Sequence, residues 1–174
     1  MSETPSEKAP SRIPHVYVCD LASRVGEQVE VRGWLYNRSS KGKLHFLQIR
    51  DGSGIVQAVV FKGDMPEDKF HRADHLAQET SIVVRGEVKK DPRSPIGVEL
   101  QVKDFEVLAT PTQEYPITPK EHGVAFLMDQ RHLWLRSKRQ VAIMRVRAEV
   151  IAAVRSYFDG RGFTLVDAPI FTPN

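Results

Sequence analysis

The sequence predicts a β barrel of five strands followed by the opening of a second, α+β domain. Between Val29 and Lys62 the chain reads VEVRGWLYNRSS, KGKLHFLQIRDGSG and IVQAVVFK, three runs of alternating apolar residues parted by Ser-Lys-Gly and Asp-Gly-Ser-Gly. Such residues let the backbone turn at little cost. One helical stretch then precedes two further alternating runs, SIVVRGEVKKD and GVELQVKDFEVLA. Beyond a proline-bearing segment the periodicity becomes helical almost to the end. Five antiparallel strands with a helix between the third and fourth follow the element order of an OB-fold barrel. That fold binds oligonucleotides on the face of its second and third strands, together with the loops joining strands one to two and four to five.

Taken in order, residues 1–14 are rich in Ser, Pro, Glu and Lys and nearly devoid of apolar side chains. They cannot repay the entropy of ordering and are expected to form a disordered tail. HVYVCDLASRV (15–25) reads as a short strand and a helical turn, with Asp20 as N-cap and Gly26 as the stop. In the second barrel strand, Leu44, Phe46 and Gln48 project from one face and His45, Leu47 and Ile49 from the other. GDMPEDKFHRADHLAQET (63–80) places Phe70, Ala73, Leu76 and Ala77 at helical spacing, with Pro66 near the start. His71 and His75 lie one turn apart in it with Asp74 between them, but no third ligand stands at a recognisable spacing, so a solvated helix face is expected there and not zinc. TPTQEYPITPK (110–120), with its three prolines, reads as a semi-stiff linker. From Arg131 through Arg147 there are many cations and no acid, a pattern that fits a solvated helix face and phosphate contact alike. In the helix that follows Ser137, Ile143, Val146, Val150, Val154 and Tyr157 form an apolar stripe, and Gly160 or Gly162 supplies the stop. FTLVDAPIFTPN is then an extended strand interrupted at Pro169. The expected layout is a tail at 1–14, the barrel at 15–110, a linker and hinge at 111–136, and at 137–174 the truncated start of another domain.

Composition narrows the function. The net charge of +3, from 25 basic and 22 acidic residues, makes any basicity local, so a phosphate-bearing partner must be met by a patch. The single Cys19 excludes an intramolecular disulfide and fits a reducing compartment. No apolar run reaches the length of a membrane span and residues 1–12 hold no signal core, which places the protein in the cytoplasm, away from membranes. Nowhere does the sequence offer a phosphate-cradling Gly loop, a paired acid and base, or a nucleophile beside a base.

The barrel carries a different constellation. Phe46 stands beside Gln57 of the next strand, among Arg32, Arg38, Lys41, Lys43 and Arg50, while Lys89, Lys90 and Arg93 fall at the junction of strands four and five. Single-stranded nucleic acid asks for these types: rings stack on bases, amides read base edges and cations hold phosphates. Composition alone favours a Phe46 buried in the core, since phenylalanine usually is. The coincidence of aromatic, amide and cations on the elements an OB barrel uses favours an exposed, binding Phe46 instead.

GWLYNRSSKGKLHFLQIRDGSGIVQAVV, EYPITPKEHGVAFLMDQRHLWLRS and the ending in which a helix runs into Gly162, Phe163, Val166 and Pro169 together resemble the asparaginyl-tRNA synthetase family. The first pattern is shared with the aspartyl and lysyl enzymes, whereas HGVAFLMDQRHLWLRS resembles the asparaginyl ones. The resemblance implies an N-terminal OB domain that binds the anticodon of tRNA(Asn), a hinge, and the first helix and strand of a class II catalytic domain. It implies that Phe46 stacks on the central anticodon uridine, that Gln57 hydrogen-bonds the same base, and that Arg38, Lys41 and Lys43 belong to the anticodon site. Gly162, Phe163, Val166 and Pro169 resemble motif 1, which builds a homodimer interface. Activation of asparagine with ATP and Mg²⁺ is implied for the complete enzyme. Motifs 2 and 3 are expected beyond Asn174, so this stretch alone is expected to bind neither cofactor and to be inactive. A free-standing OB module for single-stranded nucleic acid and an aspartyl enzyme are the alternatives.

Overall fold

The computed structural model describes residues 13–118 and 120–171, so most of the tail read at 1–14 lies outside the described residues. The chain divides into two units, one running to Tyr115 and the other beginning at Pro116.

In the first unit the alternating runs become β1 (Gln28–Lys41), β2 (Leu44–Arg50), β3 (Ile55–Phe61), β4 (Ser81–Lys90) and β5 (Val98–Ala109), with helix α1 (Glu67–Asp74) between β3 and β4. They close into a barrel in the order β1-β2-β3-β5-β4. The expectation of antiparallel pairing throughout is corrected at one seam, where β3 and β5 run parallel through Ala58↔Leu100 and Val59↔Gln101. Topology forces this, because an odd number of strands in a closed ring cannot alternate direction all the way round. The inward positions, Leu35, Leu47, Ile49, Val56, Ala58, Val60, Ile82, Val84, Leu100 and Val102 among them, are fully buried. Phe70, Ala73 and Leu76, on and just beyond α1, join that core.

Sharp curvature is obtained with glycine. A Cβ on Gly86 would lie 2.2 Å from the Gln101 carbonyl oxygen, at a register shift between β4 and β5, and one on Gly33 would lie 2.4 Å from that of Arg50. The β1–β2 hairpin turns through Gly42 and Lys43, with Gly42 in the left-handed region at φ +60°. The Asp-Gly-Ser-Gly turn is organised by Asp51, whose Oδ1 accepts from Ser53 N, Ser53 Oγ and Gly54 N at 2.7–2.9 Å.

Three local readings are revised. Residues 18–24 form a 3₁₀ helix, and Asp20 lies inside it and not at its N-cap. The N-terminal amides are satisfied from elsewhere, Val18 N donating to Asp51 Oδ2 (2.8 Å) and Cys19 N to Ser53 Oγ (3.0 Å). Helix α1 stops at Asp74, and Ala77, placed by spacing on the buried stripe, is exposed in the turn that leads through Glu79 at φ +65° into β4. Leu35 draws that corner in, its carbonyl accepting from Glu79 N and its amide donating to the Thr80 carbonyl.

The second unit holds α2 (Val124–Asp129), α3 (Arg131–Trp134) and α4 (Lys138–Asp159). Ser137 caps α4, its Oγ accepting from Gln140 N at 3.4 Å. The stop comes from Gly162 at φ +79°: Gly162 N donates to the Asp159 carbonyl, Phe163 N to the Phe158 carbonyl, and the two rings meet edge to face at 5.4 Å. Residues 163–171, read in the sequence as an extended piece, have no ladder partner among the described residues. Among the described residues, no helix is long and apolar enough to cross a membrane.

Candidate nucleic-acid interface

Because His45, Leu47 and Ile49 point into the barrel, Leu44, Phe46, Gln48 and Arg50 must point out, and all four are half-buried. On β3 the outward set is Ile55, Gln57, Val59 and Phe61. Register then arranges the outer face in rows across the strands. Asn37, Gln48 and Gln57 stand opposite one another, as do Ser39, Phe46 and Val59, and Lys41, Leu44 and Phe61. Phe46 and Gln57 are therefore diagonal neighbours on one surface. Gln57 also reaches across the parallel seam, its Nε2 donating to Glu99 Oε2 at 3.4 Å.

The structure sorts the cations counted in the sequence. Arg32 pairs with Glu30 at 2.7 Å, Arg50 with the buried Glu79 at 2.7 Å, Arg93 with Asp91, and Lys89 with Glu87. Arg38 donates to the Leu76 carbonyl (2.9 Å) and to Asp74 (3.3 Å), which ties β1 to the end of α1. Lys41, Lys43 and Lys90 are exposed and have no ion-pair partner among the described residues. Lys41 ends β1 and Lys43 lies in the hairpin turn, at the Phe61 end of the face. Arg32 contributes elsewhere, to a cleft of about 530 Å³ lined with Ile13, Pro14, His15, Glu30 and Arg85. Burial opposes the charge on Glu30 there, but hydrogen bonds from Arg32 and Arg85 hold its pKa below the ordinary carboxylate range.

Behind Phe46 the inward His45 anchors the hairpin to α1. Its Nδ1 meets Ser40 Oγ at 2.8 Å, Ser40 in turn donates to Asp74, and its ring stacks on Phe70 with centroids 4.0 Å apart. Desolvation by burial lowers the His45 pKa against the pull of Asp74, with Arg38 and His71 adding to the lowering. The helix histidines are used locally: His71 approaches Glu67 at 3.7 Å, and His75 Nδ1 lies 2.8 Å from the His71 carbonyl. Among the described residues, no three His, Cys, Asp or Glu side chains converge to hold a metal ion.

The spacing of β3 held a signal that the sequence analysis did not use, since Phe61 is in phase with Gln57 and adds a second aromatic, 40% exposed, to the face. Asn37 and Glu99 carried no such signal, because a bulge in β1 and the closure of the barrel bring them there.

Comparisons with known proteins bear on the fold as a whole. Residues 29–108 match the OB-fold nucleic acid binding domain model, and residues 124–174 match the model of class II tRNA synthetases (D, K and N). Asparagine–tRNA ligases of Sorangium cellulosum and Thermus thermophilus are 56% and 54% identical to it, over 92% and 91% of this chain. Along nearly all of its length the chain is similar to asparaginyl-tRNA synthetases. It spans 36% of the length of each of these two relatives. Crystallised asparaginyl-tRNA synthetase from Pyrococcus horikoshii, complexed with asparaginyl-adenylate, superposes with a TM-score of 0.82 at 38% identity, covering 91% of this chain and 37% of that one. The OB-fold model spans the barrel from β1 to β5.

Proposed function

We propose that the outer face of β1, β2 and β3 binds the anticodon loop of tRNA(Asn), as part of an asparagine–tRNA ligase. The observation that carries this reading is the outward placement of the half-buried Phe46 beside Gln57 while its chain neighbours His45 and Leu47 are buried. Phe46 stacks on the central uridine, Gln57 hydrogen-bonds its Watson–Crick edge, and Lys41 and Lys43 meet phosphates. Arg38 is the third cation of the set, held by Asp74 and the Leu76 carbonyl. Phe61 offers a second stacking surface.

The complete enzyme activates asparagine with ATP and Mg²⁺, passes the acyl group to tRNA, works in the cytoplasm and is a homodimer. The relatives' names and the asparaginyl-adenylate in the Pyrococcus structure support the asparagine and ATP part of this reading. Gly162, Phe163, Val166 and Pro169 contribute to the dimer interface; Phe163 and Val166 are 62% and 80% exposed, on the chain that leaves α4. Among the described residues no three His, Cys, Asp or Glu side chains converge on a metal site, and no step of the chemistry is routed through them.

Titration with a hairpin RNA carrying the asparagine anticodon tests the reading. Binding is expected, and replacing the central uridine with adenosine should weaken it by roughly tenfold or more. Equal binding of both hairpins would overturn it.

A further inference from the structure

The far end of β1 is the least supported part of the barrel face. β1 pairs with β4 only over residues 28–34, so residues 37–41 have β2 on one side and, among the described residues, no ladder on the other. Helix α1 supplies support there through side chains. Arg38 reaches the Leu76 carbonyl at 2.9 Å and Asp74 Oδ1 at 3.3 Å, and Ser40 donates to the same Asp74 oxygen. Ser40 lies opposite His45 in register, and its Oγ meets His45 Nδ1 at 2.8 Å. Counting protons fixes the direction of this chain of bonds. Asp74 is held below the ordinary carboxylate range first by the Ser40 hydrogen bond, and as an anion it only accepts. Ser40 has one proton and gives it to Asp74, so its oxygen must accept from His45 Nδ1–H. In the neutral imidazole Nε2 then carries the lone pair. That atom is buried without a hydrogen-bond partner among the described residues, on a ring stacked against Phe70.

We propose that Asp74 is a positioning residue, which through Ser40, Arg38 and His45 latches the end of β1 to α1 and so sets Lys41 and the β1–β2 turn beside Phe46 for RNA. The proposal rests on the anticodon reading above. Protonation of His45 opens the latch. A second proton must sit on Nε2, where nothing accepts it, and Nε2–H finds an acceptor only in water, which requires the ring to leave Phe70 and Ser40. Of the charged groups facing the ring, Asp74 lies 3.6 Å from Nδ1 and favours the cation, whereas Arg38 on β1 and His71 on α1 oppose it, and β3 presents only Val60. The closed latch is therefore fully favoured above about pH 6.5, the ordinary histidine value, and weakens as pH falls below it.

The test takes two readouts from the whole 174-residue chain: affinity for the asparagine-anticodon hairpin RNA, and amide hydrogen-exchange protection of residues 39–43. Asp74→Ala and Ser40→Ala should each lower affinity roughly fivefold, the equivalent of one net hydrogen bond. Both should lose protection at residues 39–43 while β4 and β5 keep theirs. For Asp74 the sign is diagnostic, since deleting an acid that acted through charge alone would tighten binding to a polyanion. Between pH 7.5 and pH 5.5 the wild type should lose affinity, although protonation of the exposed His71 and His75 would by itself strengthen it. In His45→Gln that loss should disappear. Variants that bind as tightly as a binding-competent wild type, with residues 39–43 still protected, would overturn the latch and leave the anticodon reading standing. Lost protection with unchanged affinity would overturn the positioning role as well. A wild-type chain that fails to bind the hairpin RNA would overturn the anticodon reading, and protection of residues 39–43, which needs no RNA, then decides the latch alone.

Discussion

Neighbouring residues on one strand give the sharpest test of the barrel face, because Phe46 and Leu47 differ in which side of the sheet they occupy. Leu47 is wholly buried, whereas Phe46 is half-buried and faces outward between Ser39 and Val59. Full burial of such a side chain contributes about 1.5–3 kcal/mol, so the half-buried ring of Phe46 contributes on the order of 1 kcal/mol to folding. Phe46→Ala should therefore lower the barrel's Tm by about 4–8 °C. Loss of base stacking costs about 1–3 kcal/mol, which is roughly 5- to 150-fold in Kd for the asparagine-anticodon hairpin. Leu47→Ala reverses the pattern. A cavity in the core costs about 2–5 kcal/mol and a Tm drop of around 10 °C or more. Its affinity for RNA, measured well below its melting temperature, should stay near wild type. Fluorescence titration with a labelled hairpin, run beside thermal melting followed by circular dichroism, reads both quantities for both variants. A Phe46→Ala protein that melts as early as Leu47→Ala while binding RNA normally would refute the assignment of Phe46 to the working face.

Lys41→Ala and Lys43→Ala should each weaken every RNA alike and reduce the slope of log K against log salt by about one, whereas Arg38→Ala should also lower Tm because it releases the end of α1. The depressed pKa of His45 means that the unfolded chain takes up a proton first as pH falls, so the barrel is stabilised above about pH 6.5 and loses that contribution below it. Melting at pH 7.5 and pH 5.5 should show a drop that shrinks in His45→Gln; an unchanged drop would place the titration elsewhere. Gly86→Ala should destabilise by roughly 1–3 kcal/mol, because its Cβ meets the Gln101 carbonyl oxygen and not a movable side chain, and a Tm equal to wild type would contradict that close approach.

The strands were legible because their turns are spelled in residues that act locally. Gly42 and the Asp51 turn set strand ends within a residue or two of where the alternation breaks, whatever the rest of the barrel does. Helix α1 was less legible, since its end is decided by Leu35 gripping the backbone of Glu79 and Thr80, a contact between residues far apart in sequence. Asp20 was misread for a similar reason: the helix begins two residues before it, where Asp51 and Ser53 of a different turn take the amides of Val18 and Cys19. Within the binding face, the outward phase of Phe46 and Gln57 follows from period two, and so did that of Phe61. The fate of the cations does not follow from any period. Arg85 reaches Glu30, and Arg50 reaches Glu79, only once β1 has been closed against β4 and the corner before it.

That closure has a dynamic consequence at the parallel seam. β4 and β5 are paired from end to end, but β3 meets β5 only where Ala58 faces Leu100 and Val59 faces Gln101. A ring opens first at its shortest ladder, and segments with few shared backbone bonds open locally at a free energy far below that of global unfolding. Gln57 and Glu99 sit on opposite lips of this seam. Each brief parting of the lips would break the Gln57–Glu99 hydrogen bond, so the surface of the face depends on backbone pairing as much as on side-chain chemistry. A nucleotide that touches both lips at once would act as the missing rung, and binding would hold the ring shut.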